Sequence, residues 1–246
     1  MRLAAVLGSL LMAVAASARD IDAASYGYPL TNPFEATIAT TPPDQRPMLP
    51  SDDEIDQSDY SLTLRPEREF TLPDNFWAVK KLKYRLARQD HAAPLIFIIA
   101  GTGASYSSSI NEYLKKLFYQ AGFHVVQLSS PTSFDFISAA SRFATPGISQ
   151  DDAQDMYRVM QAVRAQHARL PVTDFYLTGY SLGALDAAFV SHLDETRRSF
   201  NFKRVLLLNP PVNLYTSINN LDKLVQTQVK GIDRSTTFYE LMLEKL

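Results

Sequence analysis

From residue 60 onward the apolar positions follow two periods in alternation. Segments 61–65 and 77–88 predict two antiparallel strands, the second placing Leu82, Tyr84 and Leu86 on one face and Lys81, Lys83 and Arg85 on the other. Leu95, Ile96, Phe97, Ile98 and Ile99 form an unbroken apolar run, the pattern of a central strand covered on both sides. Ile110, Leu114, Leu117 and Phe118 mark the buried stripe of a helix over 107–120, with Gly122 as its stop. A buried strand over 124–128 leads into a loop rich in Ser, Pro and Phe. A helix over about 150–166 follows, opened by a capping-box-like Ser149 and Asp152, with Met156, Val159, Met160 and Val163 facing inward. Strand 175–178, helix 182–193 and a core strand 205–208 complete the alternation. Strands and helices alternating at these lengths predict the α/β class, with a mostly parallel sheet, right-handed crossovers and flanking helices.

The first 58 residues lack this period. Residues 1–18 read as an export signal: Arg2 is the positive n-region, 3–15 the apolar h-region, and Ala16, Ser17 and Ala18 the cleavage pattern. The apolar run falls short of the ~20 residues that span a bilayer, so no stable membrane anchor is expected after cleavage. Residues 19–58 carry prolines and the acidic cluster Asp52, Asp53, Glu54 and Asp56, which predict an extended arm with a solvated acidic linker. The expected organisation is a signal peptide (1–18), an arm (19–58) and one core domain (59–246).

Composition narrows the function classes. The 246 residues are 46% apolar and 20% charged with net charge -2, enough to build a full core and without the basic balance of a nucleic-acid binder. There is no cysteine, hence no disulfide framework. No Asn-x-Ser/Thr sequon occurs, which fits a periplasmic or secreted bacterial protein. No two histidines stand at metal-ligand spacing, so neither a metal nor another cofactor is expected.

The candidate chemistry lies at Gly179-Tyr180-Ser181-Leu182-Gly183. It fits G-x-S-x-G and stands between a buried strand and a helix rich in alanine, Ala184, Ala187 and Ala188. In that context the glycines permit a tight turn that lifts Ser181 above the carboxyl edge of the sheet. A second glycine turn, Gly101-Thr102-Gly103, follows the central strand. A dinucleotide reading of it fails, because Tyr106 stands at the third glycine position and no acidic residue ends the next strand at Leu128-Ser129.

On these motifs, over about 60–214, the chain resembles the α/β-hydrolase superfamily. The resemblance implies Ser181 as nucleophile and an oxyanion hole formed by the backbone N–H of Leu182 and that of Thr102 or Gly103, where Ala100-Gly101 replaces the His-Gly of many relatives. It implies a pocket walled by Tyr180, Tyr106 and an apolar lid beginning near 209. It further implies a small-molecule ester, with a hydrophobic acyl group, as substrate. The sheet would be incomplete at its C-terminal edge, exposing apolar surface beyond the strand at 205–208. Some relatives place the triad acid after that strand, where Asn209 stands here, leaving Asp222 as the next candidate.

The activating base is missing. A serine hydroxyl needs a general base at neutral pH, and the chain has four histidines. In a parallel sheet His91, His124 and His167 fall at the far edge from Ser181, and His192 lies about 16 Å along the outgoing helix. All four read as capping or surface residues. Two functions remain open: an esterase-type serine hydrolase of which this chain is a fragment lacking triad His and acid, and a non-catalytic hydrolase-like binding protein.

Overall fold

The computed structural model describes residues 46–64 and 81–228, with Asn32 and Glu35. The chain divides into two units, Met1–Met48 and Leu49–Leu246. In the first, Glu35 N–H donates to Asn32 Oδ1 at 3.3 Å. The expected signal peptide, the arm up to residue 45, the strand positions 77–80 and the lid beyond 228 lie outside the described residues.

The second unit holds six strands: β1 (Gln57–Leu62), β2 (Leu82–Ala87), β3 (Ala93–Ile99), β4 (His124–Leu128), β5 (Val172–Tyr180) and β6 (Arg204–Leu208). Among the described residues five α-helices accompany them: α1 (Ser109–Gln120), α2 (Phe134–Ala139), α3 (Ser149–Gln166), α4 (Leu182–Arg197) and α5 (Leu214–Gln228). The sheet order is β1-β2-β4-β3-β5-β6. β1 pairs antiparallel with β2 and β2 with β4, whereas β4, β3, β5 and β6 are parallel. None of the helices among the described residues is long and apolar enough to cross a membrane.

The unbroken apolar run of β3 is explained by its two covered faces. Leu95, Phe97 and Ile99 join Val126, Leu177 and the α3 residues Met156, Val159, Met160 and Val163 in one core cluster. Ile96 and Ile98 point the other way, to Val125 and Leu114 of α1. Side chains alternate between sheet faces with period two, so both sets must be apolar when helices cover both sides.

Several local expectations are corrected. Ser149 does not cap α3; it is the first helical residue, and Asp152 instead accepts the N–H of Gly147 at 2.7 Å. α2 occupies part of the expected loop, its Phe136 fully buried. Strand β6, expected in the core, forms the sheet edge, with Leu206 47% and Leu207 37% exposed. The exposed apolar edge anticipated beyond this strand is therefore present among the described residues. Residues 49–58, read as arm, belong to the sheet-bearing unit, and β1 starts at Gln57.

The acidic run is not simply solvated. Lys115 of α1 is fully buried, and its Nζ donates to Glu112 Oε2 (2.5 Å), Gln57 Oε1 (2.6 Å) and Asp52 Oδ1 (3.1 Å). Glu112 Oε1 also accepts from Arg85 Nη1 at 2.8 Å, and Arg85 Nε donates to Asp59 Oδ1 at 2.6 Å. A buried ammonium needs such partners. The inward face of α1 is thus partly polar, Asn111 and Lys115 being fully buried while Ile110 of the expected stripe is 37% exposed.

Candidate active site

β5 leads into α4 through one residue, Ser181, with φ 55° and ψ -122°. A non-glycine residue at positive φ is strained, at a cost on the order of 1–3 kcal/mol, and persists only where its surroundings over-determine it. Here they do. Ser181 N–H donates to Leu208 O at 2.9 Å, and its carbonyl accepts the N–H of Ala184 (3.0 Å) and of Leu185 (3.3 Å). Within the same strand β5, Thr178 Oγ1 donates to Leu206 O at 2.8 Å.

Gly179 and Gly183 make the turn sterically possible. A Cβ on Gly179 would stand 2.1 Å from Gly183 O, and one on Gly183 would stand 2.3 Å from Ile99 O and 2.4 Å from Ala100 O. These neighbours are backbone and cannot swing aside. Ala184 and Ala187, both fully buried, continue the close approach of α4 to the sheet. The first amide of α4, on Leu182, is among those a helix leaves without an internal acceptor.

The loop after β3 passes directly beside the turn. A Cβ on Gly101 would lie 3.2 Å from Tyr180 O and 3.5 Å from Ser181 Cβ. Ala104 N–H closes a turn onto Gly101 O at 3.0 Å, and Gly103 adopts φ +67°. Gly103 N–H donates to Thr132 Oγ1 at 2.7 Å, so of the two amides considered for an oxyanion only that of Thr102 is uncommitted. The structure thus brings Ser181, Leu182, Gly101 and Thr102 together, with Tyr180 packed against Gly101.

Tyr106, expected in the pocket wall, is held by polar partners. Its hydroxyl donates to Asp59 Oδ2 at 3.0 Å, and the Arg85 guanidinium lies 5.9 Å from its ring centroid. Burial and the Asp59 carboxylate raise its pKa. Tyr106 is an anchor of the loop.

None of the four imidazoles hydrogen-bonds Ser181. His124, the first residue of β4, is level with Phe175 through the shared partner Leu95; six residues on, at about 3.3 Å each, is Ser181, about 20 Å away. His124 is buried, not a surface residue: Nδ1 accepts Gln89 N–H at 3.0 Å, Nε2 lies 3.3 Å from Pro171 O, and burial lowers its pKa. His167 follows α3 with Nε2 2.6 Å from Tyr84 Oη, its pKa likewise lowered by burial. His91 and His192 are exposed beside Asp90 and Glu195. Asn209 is exposed at φ 51°, and Asp222 is an exposed charge on α5. No cluster of potential metal ligands occurs among the described residues.

One buried group near the turn was not anticipated. Asp186 of α4 is 1% exposed, and its Oδ2 has no hydrogen-bond partner. Burial, with a smaller contribution from Asp152, pushes its pKa up to about 8. Its place five residues after Ser181, between the buried Ala184 and Val190, marks it as inward-facing.

No protein-family model and no curated protein matches the chain. Among solved structures it is similar to a dienelactone hydrolase from Anabaena variabilis (16% identity, 61% of this chain and 62% of that chain, TM-score 0.45). It is also similar to fungal esterases from Rhizomucor miehei (19% identity, 72% and 50%, TM-score 0.47) and to an esterase from Pyrococcus furiosus (13% identity, 69% and 58%, TM-score 0.46). The matched region therefore covers between half and two-thirds of those chains. In its own right this is a mostly parallel sheet whose third parallel strand turns through a strained serine into a helix, the strand-serine-helix context that G-x-S-x-G requires.

Proposed function

We propose that the chain is the sheet-bearing part of an esterase-type serine hydrolase, with Ser181 as its nucleophile. The observation that carries this reading is the positive φ of Ser181, a strain held at the turn that lifts a hydroxyl onto the edge of the sheet. Ser181 Oγ attacks the ester carbonyl carbon, and the C=O π electrons move onto oxygen. The N–H groups of Leu182 and Thr102 stabilise that oxyanion. Collapse expels the alcohol and leaves an acyl-serine, which water then hydrolyses.

The Ser181 proton must go to a base that none of the chain's four histidines supplies. The exposed edge of β6 and the exposed apolar residues Tyr215, Ile218 and Leu221 of α5 support a reading in which further elements, carrying the base and acid, complete the domain. By itself the chain would retain only the roughly thousand-fold acceleration over water that an oxyanion hole can give. A small-molecule ester with an apolar acyl group, a periplasmic or secreted location and the absence of any cofactor are part of this proposal.

Incubation with p-nitrophenyl butyrate followed by intact-mass measurement tests it. One butyryl adduct mapping to Ser181, and enhanced by added imidazole as a surrogate base, is expected. An adduct of equal yield in Ser181→Ala would refute the assignment. The second reading, a binding protein on a hydrolase-like fold, is favoured by the missing imidazole; it predicts saturable ester binding with no adduct at all.

A further inference from the structure

The loop that carries Thr102 is gripped by the segment following β4. Gly103 N–H donates to Thr132 Oγ1 at 2.7 Å, Tyr106 N–H to Ser129 Oγ at 3.0 Å, and Ser130 N–H to Ala104 O at 3.0 Å. The hydroxyls doing the gripping are themselves oriented. Ser129 Oγ donates its proton to Asp135 Oδ2 at 2.8 Å, leaving only lone pairs for the Tyr106 amide. Thr132 Oγ1 lies 2.8 Å from Ser130 Oγ, which also accepts the Thr132 N–H at 3.2 Å. Ser129 and Ser130 are fully buried, so water does not compete for their hydroxyls, whereas the Gly103–Thr132 bond lies at the surface. From the other side, the Tyr106 carbonyl accepts from Asn111 Nδ2 (3.2 Å) and Gln127 Nε2 (3.1 Å).

Within the loop, Ala104 N–H donates to Gly101 O and Ser108 N–H to Ser105 O. Thr102 N–H has no acceptor among the described residues. Stabilisation of a developing oxyanion depends on donors held in place before charge appears, because a loop free to reorient would lose the benefit in reorganisation. We infer that Thr132 and Ser129 are positioning residues of the oxyanion site. They draw off the amides of Gly103 and Tyr106 and hold the turn so that the Thr102 N–H is presented beside Ser181. The inference rests on the reading of Ser181 as nucleophile.

The test measures the rate of Ser181 butyrylation against p-nitrophenyl butyrate concentration in the wild-type chain, T132V, T132S, S129A and S181A. Complete loss of an oxyanion donor lowers rates ~100- to 1,000-fold. A misdirected donor is expected to cost T132V ~10- to 100-fold in the limiting rate, within that bound, while the half-saturating concentration changes less than ~2-fold. T132S keeps the accepting hydroxyl and should stay within ~3-fold of wild type, and S129A should slow in the same sense as T132V. A limiting rate for folded T132V equal to wild type, with S181A unlabelled, overturns the positioning role and leaves the nucleophile standing. If T132V does not fold, a wild-type rate in S129A overturns the inference instead. Absence of any Ser181 adduct in the wild-type chain overturns both readings.

Discussion

Replacing Asp186 by Asn should flatten the pH dependence of stability on its alkaline side. The carboxyl is buried in α4 with an unpartnered Oδ2 and a pKa pushed from the ordinary 3.8 to about 8, chiefly by burial. A raised carboxyl pKa means that the folded state binds the proton more tightly than the unfolded chain. Its stabilising contribution is complete below about pH 4 and is lost as pH rises towards 8. Between those limits the folded protein holds about one extra proton, and stability falls by about 1.4 kcal/mol per pH unit. From pH 5 to pH 8 the wild type should therefore lose about 4 kcal/mol relative to Asp186→Asn, all other titrations being shared. Equilibrium urea unfolding at pH 5, 6, 7 and 8, followed by far-ultraviolet circular dichroism, measures the two profiles. If they run parallel across that range, Asp186 is ionised in the folded state and the reasoning fails.

The glycines offer a contrast within one substitution type. Gly183→Ala forces a Cβ to within 2.4 Å of two carbonyl oxygens and should cost about 3 kcal/mol or more, whereas Gly103→Ala meets open space and carries only the left-handed penalty of about 1–2 kcal/mol. Thermal melts that ranked the two equally would contradict the steric account of the turn. In the polar network, Glu112→Gln should destabilise by about 2–3 kcal/mol, because the fully buried Lys115 loses its shortest carboxylate contact. Asp52→Asn should cost at most about 1 kcal/mol, its side chain being 61% exposed. Chemical denaturation of both variants checks the order.

Most of the architecture was readable from hydrophobic periodicity. β4 occurs at the residues expected, α3 buries the four expected side chains, and Gly122 ends α1 at φ +85°. Such features are local: an unbroken apolar run or a 3.6-residue stripe reports the two or one covered faces of its own element. The serine turn was legible for a related reason, since only glycines at 179 and 183 allow the strand and helix to meet. The polar face of α1 was not legible. Asn111 and Lys115 look like solvent-facing positions in one dimension, and only the arrival of residues 52–57 supplies the Asp52 and Gln57 oxygens that join Glu112 around Lys115, while the Tyr106 and Leu128 carbonyls accept from Asn111.

The amino-acid sequence alone therefore determined the class of fold, the alternation of its main strands and helices, the serine on its turn and the want of a histidine to serve it. These follow from side-chain period, backbone sterics and residue count. The tertiary structure decided that the Gly103 amide is taken up by Thr132, which partners hold Tyr106 and which carboxyl is buried. Each of those depends on partners brought from 20 to 80 residues away, and the geometry of a hydrogen bond or the desolvation of a charge exists only once the chain has closed around it.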